Sequence, residues 1–193
     1  MPYISYQNRQ ISFKLVYFGP GMSGKTTNLS WIHRALAPTQ KGEMIMLNTE
    51  QERTLFFDYF PLELGQVQGY DLRFNMYTVP GQTFYEASRR LVLEGADGVV
   101  FVADSNRDRM DDNVEMFERM IENFKHYDWE IEQFPLVVQY NKRDCGDPIQ
   151  PGQVESALGL KPLPVFEAVA TKGKGVMETV RALSQMVIQR FDL

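Results

Sequence analysis

One stretch constrains this chain more than any other. Gly19-Pro20-Gly21-Met22-Ser23-Gly24-Lys25-Thr26 matches G-x-x-x-x-G-K-[ST]. It follows an apolar run over residues 11–18 that reads as a β-strand, and it opens residues 26–36, a helix stopped before Pro38. Strand, glycine turn and helix N-terminus together make an anion cradle. The glycines let the backbone curl until its N–H groups converge, and the helix end adds partial positive charge. Lys25 supplies a full charge for the outer phosphates of a nucleotide, and Thr26 offers a hydroxyl to Mg2+. The phosphate-binding set is therefore Gly19, Gly21, Met22, Ser23, Gly24, Lys25, Thr26 and the adjoining Thr27.

The remaining pattern supports a parallel sheet around that cradle. Residues 97–103 and 135–140 are nearly continuous apolar runs, as strands buried on both faces should be. Helical spacing marks residues 84–93, 111–127, 154–158 and 176–191, and a short strand is expected over 165–169. Residues 62–67 and 70–78 read as a hairpin across Gln68-Gly69. Residues 37–61 read as a long functional loop. Alternating strands and helices predict an α/β fold with a mostly parallel sheet of about six strands and helices on both faces. Ligands bind such sheets beyond the carboxyl ends of the strands.

Composition narrows the class. At 193 residues and 44% apolar, the chain suits one domain over 1–193 with a core that needs no staples. Twenty basic against 25 acidic residues give a net charge of −5, which argues against a nucleic-acid surface. One cysteine, Cys145, and two histidines argue against a disulfide or a structural zinc site. The sequence shows no secretory signal, no long apolar span and no lipidation motif. The expectation is a cytoplasmic protein without a membrane anchor of its own, recruited elsewhere only by partners.

A second motif reads the base. Asn141-Lys142-Arg143-Asp144 follows the strand ending at Tyr140 and fits N-K-x-D. A carboxylate at Asp144 can accept both the N1–H and the 2-amino group of guanine, a donor pair that adenine lacks. A buried Asp144 would therefore reject ATP, because it would be left unpaired. The stem of Lys142 can pack along the base.

Together the two motifs resemble the Ras-superfamily small GTPases. The segments 49–58, 77–82 and 101–105 narrow the likeness to the MglA-like bacterial branch, over about residues 4–190. That resemblance implies a three-layer P-loop NTPase of Ras-like G-domain type and a GTP-hydrolysing switch using GTP/GDP and Mg2+. It implies that Thr54 binds Mg2+ beside Thr26 and senses the γ-phosphate. The second switch, normally D-x-x-G, is Thr78-Val79-Pro80-Gly81 here, so a threonine hydroxyl replaces the carboxylate. Gly81 would bring its N–H to the γ-phosphate, and Gln82 would orient the attacking water. Arg53 matches an arginine finger supplied from within the chain, Gln82 and Arg53 thus being the catalytic pair. Ala170 aligns with the residue whose N–H meets guanine O6. The implied partners are a roadblock-type activator dimer resembling MglB and effectors of polarity and motility.

Two other readings stay open at this level. The missing carboxylate at Thr78 fits a slow or inactive nucleotide-stabilised binding module. A P-loop metabolic kinase fits the cradle but not N-K-x-D. The aromatic cluster Leu55, Phe56, Phe57, Tyr59, Phe60, Pro61 suits either core burial or a partner surface. Residues 104–112, mixed in charge, read as a solvated loop and helix start without a function.

Overall fold

The computed structural model describes residues 2–46, 58–80 and 86–191. Its strands are β1 (Tyr3–Ser5), β2 (Gln10–Phe18), β3 (Ile45–Met46), β4 (Asp58–Val67), β5 (Tyr70–Thr78), β6 (Gly98–Asp104), β7 (Leu136–Asn141) and β8 (Val165–Glu167). Its helices are α1 (Lys25–Ala35), α2 (Glu86–Leu93), α3 (Met110–His126), α4 (Gln153–Ala157) and α5 (Val176–Arg190).

The sheet runs β3-β4-β5-β2-β6-β7-β8, with β1 paired to β2 off this path. β5, β2, β6, β7 and β8 are mutually parallel, while β3, β4 and β1 pair antiparallel. Six of these strands are those expected; β1 and β3 raise the described count to eight. The loop expected over 37–61 is partly strand, because β4 begins at Asp58. Phe60 shows why: it is fully buried in the core and meets His33 edge-on at 5.4 Å. Burial thus accounts for Phe60, while Tyr59 and Pro61 are half-buried and residues 55–57 lie outside the described residues.

Alternation along β2 sends Phe13, Leu15 and Tyr17 to one face and Val16 and Phe18 to the other. On the first face, Leu29 and Ile32 of α1 and Val180, Leu183 and Val187 of α5 close the core. On the second, Val92 and Leu93 of α2 and Met116, Phe117, Met120 and Phe124 of α3 do so. Beyond the foot of α3, Trp129 stacks on Phe134 with ring centroids 4.5 Å apart. β2 lies between β5 and β6, so the chain's course reverses there, and the carboxyl ends on either side leave a crevice.

Candidate functional site

The phosphate turn leaves β2 at Gly19 and enters α1 at Lys25. Gly24 has φ +98, and a Cβ there would stand 2.3 Å from Asn141 Nδ2. Glycine is required at that position both for the turn and for the approach of the base-reading segment. Lys25 is 7% exposed, and its Nζ donates to the Gly19 and Pro20 carbonyls at 2.8 and 2.7 Å. Burial pushes its ammonium down to about 7; the Asp58 carboxylate opposes this shift and Arg89 of α2 adds to it. The cradle therefore holds a desolvated cation that a phosphate would restore to full charge.

Beside the turn, three oxygens from three elements come together. Thr26 Oγ1 donates to Asp58 Oδ2 at 2.5 Å, and Thr78 Oγ1 donates to the same oxygen at 3.0 Å. The Asp58 N–H donates back to Thr78 Oγ1 at 2.9 Å. Thr78 was expected to stand in for a missing carboxylate. Instead it orients one: Asp58, 7% exposed, brings the charge from the neighbouring strand. The donors are all hard oxygens, which suits Mg2+ and no soft metal. Asp58 is the residue of this cluster that sequence reasoning missed.

The base side is a cleft of about 400 Å³ whose lining includes Met22, Thr27, Asn141, Lys142, Asp144 and Ala170. Asn141 ties it to the phosphate turn, donating Nδ2 to the Ser23 carbonyl at 2.8 Å while its Oδ1 accepts the Ala170 N–H at 2.9 Å. The Ala170 N–H, expected to meet guanine O6, is thus engaged with Asn141. Lys142 was expected to lie along the base; its Nζ is 2.6 Å from Asp104 Oδ2. Asp144 is not buried: its side chain is 43% exposed and paired with Lys172 at 3.0 Å. The hydrogen bond from Lys172 holds its carboxyl below the usual range. Behind the cleft, Trp31 of α1 packs on Gly173, where φ is +73 and a Cβ would stand 1.9 Å from the indole.

A profile described as the ADP-ribosylation factor family matches residues 3–187. The chain belongs to that family. Mutual gliding-motility protein MglA of Myxococcus xanthus (strain DK1622) is 46% identical over 188 residues, 97% of this chain and 96% of its own length. ADP-ribosylation factor-like protein 1 of Drosophila melanogaster is 29% identical over 131 residues, 65% of this chain and 70% of its own. The chain is an MglA-like small GTPase, binding GTP and hydrolysing it. Four expected residues of this GTPase, Arg53, Thr54, Gly81 and Gln82, lie outside the described residues. No described helix is long and apolar enough to cross a membrane.

Proposed function

We propose that this small GTPase is a nucleotide-timed switch for cell polarity and gliding motility, in line with the name of its Myxococcus relative. The observation that carries the switch reading is the shared cleft. One buried residue, Asn141, bonds both the phosphate turn and the segment after β8, so a nucleotide would be gripped at both ends at once. In this reading Asp144, Asn141 and Lys142 recognise guanine, with Ala170 fixing Asn141. Gly19, Gly21, Met22, Ser23, Gly24, Lys25, Thr26 and Thr27 surround the phosphates.

Thr26 and Asp58 would hold Mg2+, joined by Thr54, and Thr78 would keep Asp58 aimed. The ion supplies positive charge to the phosphate oxygens when bound. Gly81 would sense the γ-phosphate through its N–H, drawing the segment after β5 inward. Gln82 would orient the attacking water, and Arg53 would neutralise charge on the departing γ-phosphoryl group, an effect worth about 10³–10⁵ in rate. The GTP form would recruit polarity and motility effectors, and a roadblock-type MglB-like dimer would assist Arg53 and Gln82. The protein would act in the cytoplasm and reach a cell pole through partners.

Labelled GDP displaced by GTP but not by ATP supports the reading; equal displacement by ATP removes it. Phosphate release should rise sharply with the roadblock dimer and be lost in Arg53→Ala and Gln82→Leu. Asp144→Asn should shift preference toward xanthine nucleotides, whose 2-oxo group needs a donor. Unchanged GTP affinity in that variant would take Asp144 out of the site.

A further inference from the structure

Two non-glycine residues of the cleft adopt left-handed backbone, Met22 and Lys142, each with φ +64. Strain of this kind persists only where the surroundings hold it. One carboxylate connects the two segments that carry them. Asp104 ends β6 with its side chain 2% exposed, although its segment reads from sequence as solvated. Asn113 clamps its backbone on both sides, accepting from the Asp104 N–H at 2.9 Å and donating to its carbonyl at 2.8 Å. A buried carboxylate needs partners. Oδ1 takes two bonds from Asn106, at 3.1 and 2.6 Å. Oδ2 faces Lys142 Nζ at 2.6 Å and Arg109 Nε at 3.9 Å.

Arg109 then reaches the phosphate turn. Its Nη2 donates to the Gly21 carbonyl at 2.8 Å, and its Nη1 is braced by Asp112 at 2.5 Å. The planar trans peptide sets the Met22 N–H opposite the Gly21 oxygen, so a grip on that carbonyl fixes which way the N–H faces. A guanidinium suits the task because its rigid fork can meet two carboxylates and a carbonyl at once; an ammonium cannot span them.

We propose that Arg109 is a positioning residue for the phosphate turn, anchored by Asp104 and Asp112, and that Asp104 links this grip to Lys142 in the base-reading segment. This rests on the nucleotide reading of the cleft. By it, Arg109 matters for the phosphates and not for the base.

The test compares GMP, GDP and GTP by competition against labelled GDP. Wild-type binding of GDP over ADP checks the underlying reading separately. Arg109 is 36% exposed, so Arg109→Ala should fold, and the melting temperature of the nucleotide-free protein controls for this. The expected result is GDP and GTP weakened about tenfold, with GMP unchanged. Arg109→Lys should not restore binding. Asp112→Ala should weaken GDP binding about twofold in the wild-type background and not at all beside Arg109→Ala. Equal losses for all three nucleotides, no loss, full rescue by lysine, or an undiminished Asp112 effect without Arg109 would each overturn the proposal.

Discussion

A lysine ammonium shut away from water, its hydrogen bonds among the described residues going to carbonyl oxygens, is costly to keep charged. Lys25 is in that position, with its titration near 7 against 10.5 for the unfolded chain. Between those values the unfolded chain holds the extra proton, so the nucleotide-free protein gains stability from this group as pH rises from 7 to 10.5. A phosphate beside Lys25 favours the charged form, so nucleotide binding above pH 7 takes up a proton. Nucleotide affinity should fall by up to about tenfold per pH unit above 7. Calorimetry at pH 8 in two buffers of different ionisation enthalpy should report an uptake near one proton, and none would clear Lys25 of the role. Asp58 makes a second prediction at this scale. It is the carboxylate that Thr26 and Thr78 share, so Asp58→Asn should raise the Mg2+ concentration needed to slow GDP release by about 10–100-fold. Unaltered Mg2+ dependence would return the question to Thr78.

The β4–β5 hairpin explains why Asp58 escaped sequence reading. Its turn was legible from Gln68-Gly69, and Val67 does pair with Tyr70. Counting back from that turn without interruption sets residue 58 opposite residue 79. A bulge between Glu63 and Gln66 moves the register by one, so Tyr59 meets Tyr77 and Asp58 comes to Thr78. Such a slip exchanges the faces of every residue beyond it, and nothing in the alternation of a half-buried strand announces it. Gly65, φ +94, sits in the bulge with open space around its Cβ position. Gly65→Ala should therefore suffer from backbone strain alone, of about 1–2 kcal/mol, lowering the melting temperature by about 3–6 °C. Scanning calorimetry reads this directly, and an unchanged midpoint would show that the bulge does not depend on glycine. β6 and β7 were legible because burial on both faces demands nearly unbroken apolar runs. Arg109 was not, since a charge in a mixed run carries no sign of which distant carbonyl it will reach.

At the scale of the molecule, the carboxyl ends of β2, β5, β6 and β7 open at one edge of the sheet, where Gly19, Thr78, Asp104 and Asn141 bring the motifs together. Parallel order and the two motif spacings made that gathering foreseeable; the cross-links of Asn141 and Asp104 within it required coordinates. The same geometry separates the two tryptophans. α3 runs from the cleft toward the foot of the domain, 17 residues or about 25 Å, before Trp129 stacks on Phe134. Trp31 lies instead against Gly173, directly behind the turn that carries Ala170. The chain thus contains its own optical gauge: ultraviolet emission from Trp31 should change as guanine nucleotide enters, while Trp129 supplies a steady background. Trp31→Phe should silence the signal and Trp129→Phe should sharpen it, so occupancy could be timed in the unlabelled protein.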